Sequence, residues 1–116
     1  MKFSIGIDLV DINNLEKRLK RTSSLKNRLF THNEIKSASK KLASHFALIV
    51  AIKEAFKKAS GIKKLSWLDI ETRNAYSSKP LIVLNKNLKE KFVGKKIEVS
   101  ASETNQYATA IVILYG

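Results

Sequence analysis

Two carboxylates stand out by type and surroundings. Glu54 lies in the stretch VAIKEAFKKASG, residues 50–61, and is the single acid between Glu34 and Asp69, an interval that also holds eight lysines. Asp8 lies in GIDLVDI near the start of the chain. Small residues, Gly6 and Ala51, neighbour the two acids and would leave room for a ligand. Two oxygen donors of this kind suit Mg²⁺, which takes one or two carboxylates and completes its shell with water and substrate phosphates. Surplus lysines would then offset the remaining phosphate charge. Plainer readings stand beside this one. An aspartate at the end of a strand, just before a helix, reads first as a cap or turn residue. Glu54 and Lys58, one helical turn apart, read as an i,i+4 pair worth about 0.2–0.5 kcal/mol.

Other chemistry finds less support. His32 and His45 are thirteen residues apart with no third ligand in metal-site spacing, and both read as structural or surface residues. The serines lie in no nucleophile elbow, and four glycines build no phosphate-binding loop. Trp67 and the tyrosines read as core or rim. The absence of cysteine excludes disulfides and thiolate metal sites and fits a reducing compartment.

Charge supplies the broader constraint. Twenty-two Lys and Arg against ten Asp and Glu give a formal net charge of +12 over 116 residues. Such an excess calls for an anionic partner: nucleic acid, a phosphate-rich small molecule, an acidic protein or a membrane surface. Asp8 and Asp11 interrupt the first apolar run, so it reads as no signal peptide, and no run approaches bilayer-spanning length. The expectation is a soluble, cytoplasmic chain folding as one domain over residues 1–116, with a hydrophobic fraction of 44% sufficient for a core.

The elements that must position these residues follow from periodicity. Phe3, Ile5, Ile7 and Leu9 alternate with Lys2, Ser4, Gly6 and Asp8, predicting a half-buried strand with Asp8 on its less apolar face. A helix follows from Asp11 to Lys20 and ends at Thr22-Ser23-Ser24. THNE, residues 31–34, is a capping-box signature opening a helical region that runs to Ser60, with a break near Ala43-Ser44 and a stop at Gly61. On that helix Leu48, Ile49, Ile52, Ala55, Phe56 and Ala59 form an apolar arc, with Glu54 and Lys58 at its border and Lys53 and Lys57 pointing away. Strands are expected at Trp67–Arg73, Leu81–Leu84, Ile97–Ser102 and Tyr107–Tyr115, with a short helix near Asn87–Phe92 and a hairpin turn at Thr104-Asn105-Gln106. YATAIVIL, apolar on both faces, reads as a central buried strand. Helices flanked by strands predict an α+β domain.

GIDLVDI, RLFTHNEI, AIKEAFKKASG, SKP and VSASETNQYATA occur in that order along nearly the whole chain. The ordered set resembles the holo-acyl-carrier-protein synthases, the short bacterial class of 4′-phosphopantetheinyl transferases. The resemblance implies a small antiparallel sheet packed with a long helix, assembled as a homotrimer with active sites between subunits. It implies an enzyme of fatty acid biosynthesis that moves 4′-phosphopantetheine from coenzyme A to a serine of apo acyl carrier protein, releasing adenosine 3′,5′-bisphosphate. On the family pattern Asp8 and Glu54 hold Mg²⁺, and Lys58 meets the phosphates, making these three the catalytic set. Lys40 and Lys41 fall near positions that contact the 3′-phosphate, Lys79 and Pro80 match the loop at the adenine end, and Ser102 belongs to a motif near the coenzyme. Arg18, Lys20, Arg21 and Arg28 would dock the acidic carrier. No nucleic-acid or membrane partner is implied.

The chain departs from the pattern at several points. Glu103 stands where Ser-x-Ser-His usually ends, Ile49 and Val50 where Arg-Phe is common, Asn14 where an arginine is common, and Ser78 in place of the glycine of Gly-Lys-Pro. These bear on coenzyme and carrier affinity more than on metal binding. Two rival expectations are a basic RNA- or ribosome-associated domain and a coenzyme A-binding homologue without turnover.

Overall fold

The computed structural model describes residues 2–38, 43–77 and 79–116. Strand β1 (Phe3–Asp11) runs into helix α1 (Ile12–Arg21), followed by short helices α2 (Leu25–Leu29) and α3 (His32–Ser37) and the long α4 (Ala43–Ser60). A 3₁₀ turn at Trp67–Asp69 leads to β2 (Ile70–Arg73), then β3 (Leu81–Leu84), α5 (Lys86–Lys91), β4 (Lys96–Glu103) and β5 (Tyr107–Tyr115). β1, β5 and β4 form an antiparallel sheet in that order, and β2 and β3 form a separate antiparallel pair. The α+β class and the central place of β5 are as expected. Residues 67–69 are a 3₁₀ turn, not strand, because Ser66 caps them and Asp69 returns the bond to the Ser66 amide. α2 is an additional element.

α4 lies across β1 and β5 and supplies the largest share of the core. Ala47, Ile49, Ala51, Ile52, Ala55 and Phe56 on it are fully buried, against Ala108, Ala110 and Val112 of β5. The approach to β1 is so close that a Cβ on Gly6 would lie 1.8 Å from Ala55 O and 2.7 Å from Ala59 N. The space beside Gly6 is therefore filled by helix backbone, not left for a ligand as the small side chain suggests. Ser4 Oγ donates to Ala59 O at 2.7 Å on the same face.

This packing reverses the amphipathic sense of β1. The face holding Ser4, Gly6 and Asp8 is turned towards α4, whereas Phe3, Ile5, Ile7 and Leu9 are 63%, 52%, 61% and 63% exposed. Their register partners on β5 are Tyr115, Ile113, Ile111 and Thr109, which are only half-buried. β5 thus buries one face, Ala108, Ala110, Val112 and Leu114, and leaves the other to an uncovered apolar strip.

Lys53 also departs from expectation. It is 2% exposed and points inward, because Ile49 one turn before it and Phe56 three residues after it are both core residues. Its Nζ donates to Leu29 O at 2.9 Å, Glu34 Oε1 at 2.6 Å and Trp67 O at 2.9 Å. Glu34 closes the capping box on Thr31 N at 2.8 Å, and its Oε2 accepts from Thr72 N and Thr72 Oγ1 at 2.7 and 3.0 Å. The capping box is real, and its glutamate also joins α3 to α4 and β2.

Candidate active site

Asp8 sits on the inner face of β1, three residues before Asp11, the cap of α1. Thr109 Oγ1 donates to its carbonyl at 2.8 Å and ties that point of β1 to β5. The cap of α1 is Asp11, whose carboxylate accepts from Asn14 N at 3.0 Å. Asp8 is thereby free of the capping role. Its Oδ1 lies 3.1 Å from Lys58 Nζ, which also donates to Ile7 O at 3.0 Å. Lys58 thus turns to Asp8 across the β1–α4 contact, and the expected Glu54–Lys58 pair is not formed.

Asp8 and Glu54 line one open groove of about 430 Å³. α1 contributes Asn14, Leu15 and Arg18 to it, β1 contributes Leu9 and Val10, α4 contributes Val50, and Trp67 comes from the 3₁₀ turn. The groove depends on Gly6: Asp8 is two residues beyond it, and Glu54 and Lys58 directly precede Ala55 and Ala59, the residues whose backbone it admits. Three carboxylates line this wide, open groove; Asp11 caps α1, and Asp8 and Glu54 match a hard cation that keeps water and phosphate oxygens in its shell, so the donor set fits Mg²⁺.

The other expected residues are distributed as follows. Arg18 lines the groove, while Lys20, Arg21 and Arg28 are exposed on α1 and α2. Lys20 Nζ approaches Glu16 Oε1 at 3.9 Å. Lys79 is exposed, with Nζ 3.7 Å from Glu98 Oε2 on β4, and Pro80 is buried. Ser102 pairs in register with Thr109 and is exposed. None of these last three lines the Asp8–Glu54 groove. Lys40 and Lys41 lie outside the described residues.

Glu103 lines a separate cavity of about 490 Å³ with Ile12, Glu16 and Ser44 and does not line the groove. Burial pushes the Tyr76 phenol up in pKa; the Ser44 hydroxyl, 2.6 Å from it, opposes this, and Glu103 adds to it. On the far side, burial pushes Glu71 up, but hydrogen bonds from Thr31, Arg73 and Asn33 and the charge of Arg73 bring it below the usual carboxylate range. Asn14 and Val50, noted above as departures from the family pattern, line the groove, and so does Trp67, which the sequence suggested only as core or rim. The spacing of Asn14 and Arg18, one turn apart on the same helix, was the available signal.

A family model described as the 4′-phosphopantetheinyl transferase superfamily matches residues 4–112. The chain belongs to that superfamily. Within it, the chain is 33% identical over 122 residues to the holo-(acyl-carrier-protein) synthase of Fusobacterium nucleatum, covering 98% of this chain and 99% of that one. It also superimposes on the crystal structure of Helicobacter pylori holo-(acyl-carrier-protein) synthase in complex with coenzyme A, with TM-score 0.81 and 34% identity over 95% of this chain and 98% of that one. The Bacillus anthracis synthase in complex with CoA (3′,5′-ADP) gives TM-score 0.79 and 32% identity over 97% and 96%.

Proposed function

We propose that this chain, acting as one transferase domain over residues 1–116, moves 4′-phosphopantetheine from coenzyme A to a serine of apo acyl carrier protein in a Mg²⁺-dependent reaction. The observation that carries the reading is the convergence of Asp8 and Glu54, distant in sequence, on one groove with Lys58 beside Asp8. The resemblance to synthases crystallised with coenzyme A supports the same substrate.

The carrier serine Oγ attacks the β-phosphorus of coenzyme A. A new O–P bond forms, the bridging P–O bond breaks, adenosine 3′,5′-bisphosphate leaves with the bonding electrons, and the serine proton passes to solvent. Asp8 and Glu54 would hold Mg²⁺, which when bound supplies positive charge to the diphosphate oxygens. Lys58, half-exposed and 3.1 Å from Asp8 Oδ1, offers a mobile ammonium to the charge that grows on the leaving phosphate. Arg18 at the groove, with Lys20, Arg21 and Arg28 on the adjoining surface, gives an acidic carrier a cationic approach to the same site. Lys79, Pro80 and Ser102, together with Lys40 and Lys41, are assigned to the coenzyme in an assembled homotrimer. The uncovered strip of Phe3, Ile5, Ile7 and Leu9 supports that assembly, since monomers rarely leave so continuous an apolar face open. A cytoplasmic location follows from this reaction.

The test is to incubate the protein with coenzyme A, Mg²⁺ and apo carrier, then to measure the intact mass of the carrier. A phosphopantetheine-sized gain that EDTA abolishes is expected. Asp8→Asn and Glu54→Gln should each lower the rate about 100-fold or more, since the charge stabilisation they support is worth several kcal/mol. No gain on a cognate carrier overturns the function, and wild-type rates in both variants overturn the site.

A further inference from the structure

Lys53 has no direct place in the transfer chemistry, yet its ammonium is the most heavily engaged cation among the described residues. Three acceptors, Leu29 O, Glu34 Oε1 and Trp67 O, match its three N–H donors. Phe30 lies under it with the ring centroid 5.9 Å away. Two of these acceptors belong to the helical segments before α4. The third, Trp67 O, belongs to the 3₁₀ turn whose first residue, Trp67, lines the groove of Asp8 and Glu54. Trp67 also borders a narrow cleft against Lys53, Glu54 and Lys57.

The bonding has a directional consequence. Glu34 is held on three sides, by Thr31 N, Thr72 N and Thr72 Oγ1, so it is a fixed anchor. Lys53 rests on that anchor and on Leu29 O, which leaves its third proton aimed at the Trp67 carbonyl. The segment from Gly61 to Ser66 that precedes Trp67 contains no helix or strand of its own. The Lys53 bond therefore joins a groove wall that follows an irregular segment directly to the helix that carries Glu54.

We propose that Lys53, anchored on Glu34, is a positioning residue for coenzyme binding: it holds Trp67 in place as the wall of the groove beside Glu54. The kinetic part of this inference rests on the transfer reaction proposed above, while the structural part does not. Releasing Trp67 should widen the groove without removing either carboxylate or Lys58. The loss then falls on retention of the coenzyme and not on the chemical step, giving a raised KM with kcat nearly kept.

The sole tryptophan makes the tether directly measurable. Lys53→Met combined with Glu34→Gln removes both charges together and leaves no unpaired buried ion. In this variant the iodide quenching constant of Trp67 should rise at least about 2-fold, and KM for coenzyme A about 10-fold with kcat within about 3-fold, the scale expected when a substrate-positioning wall loosens. Leu88→Ala, a core truncation on α5, serves as the control for mere destabilisation and should leave both readings at wild-type values. If the double variant lacks a cooperative melt, Lys53→Gln combined with Glu34→Gln is measured in its place, because two amides leave no buried ion and the shorter side chain cannot span to Trp67 O. Unchanged quenching in the folded variant, or an equal change in Leu88→Ala, overturns the tether. Raised quenching with unchanged KM overturns the positioning role. A wild-type protein that shows no transfer at all strikes the proposed function, and the quenching comparison still decides whether Lys53 holds Trp67.

Discussion

Replacing Gly6 by alanine tests the contact on which the groove is built. The added Cβ would meet Ala55 O at 1.8 Å, Ala59 N at 2.7 Å and Ala55 C at 2.9 Å, all backbone atoms that cannot rotate aside. Going from 1.8 Å to an ordinary contact of 3.4 Å requires β1 and α4 to part by about 1.6 Å. Overpacking of this sort costs about 1–3 kcal/mol, and a clash with helix backbone belongs at the upper end. For a chain of this size about 3 kcal/mol lowers Tm by about 12 °C. The same displacement carries Glu54 and Lys58 away from Asp8, and misplacement on the scale of 1 Å is worth about 100-fold in rate. Thermal melts and the carrier-mass assay at a temperature where the variant remains folded read the two effects separately. Ala55→Gly should not rescue Gly6→Ala, since the obstructing atom is a carbonyl oxygen. Gly61→Ala is the contrasting control: Gly61 has φ +70° and an added Cβ there would meet nothing within 4 Å, so it should cost about 1–2 kcal/mol in strain and leave the rate of the folded enzyme unchanged. Gly6→Ala with wild-type Tm and turnover would refute the reasoning.

Three further outcomes follow from particular contacts. Lys53→Met alone strands Glu34 as a buried carboxylate and should cost about 3–5 kcal/mol in urea unfolding, with the Lys53→Met/Glu34→Gln pair costing clearly less; equal losses would show that the ion pair is not coupled. Arg18→Glu should lower kcat/KM for an acidic carrier about 10-fold at low salt, the deficit shrinking as salt rises; a deficit independent of salt would count against electrostatic docking. Ile5→Glu and Ile7→Lys alter residues that are already exposed in the monomer, so they should change monomer stability by no more than about 0.5 kcal/mol while abolishing self-association in sedimentation velocity. Unaltered assembly in both would place the subunit contact elsewhere.

Local signals were legible where one segment determines its own geometry. β5 runs from Tyr107 to Tyr115 as its pattern indicates, because the Thr104-Asn105-Gln106 turn sets its start and the register with β1 and β4 is continuous. The Thr31–Glu34 capping box was equally plain. Its second role was not, since Thr72 and Lys53 meet Glu34 from segments far along the chain, which no local pattern encodes. β1 misled for a related reason. Alternation shows that a strand has two unlike faces, but the choice of inner face was made by the backbone-to-backbone approach of α4 at Gly6, which favours the smaller side chains. Asp8 and Glu54 were legible as a pair through ordered motifs; the groove wall supplied by Trp67 required the third dimension.

The cationic run on α4 has a simple geometric logic. Lys53, Glu54, Lys57 and Lys58 crowd into two turns of helix, yet a rotation of about 100° per residue sends them to different surroundings. Lys53 enters the core because Ile49 and Phe56 share its side, and it is tolerated there because Glu34 and two carbonyls accept all its protons. Burial pulls its pKa down, while the charge and hydrogen bond of Glu34 oppose that change. Glu54 comes next on the groove side, and Lys58 reaches Asp8 from the following turn. A lone acid among lysines is thus a consequence of sorting: one lysine is neutralised internally, another is matched to Asp8, and Glu54 remains among the groove carboxylates. Arg18 is the cation of the groove lining and Lys58 stands beside Asp8, and an additional acid on the same helix face would oppose the charge of an anionic substrate that these cations attract.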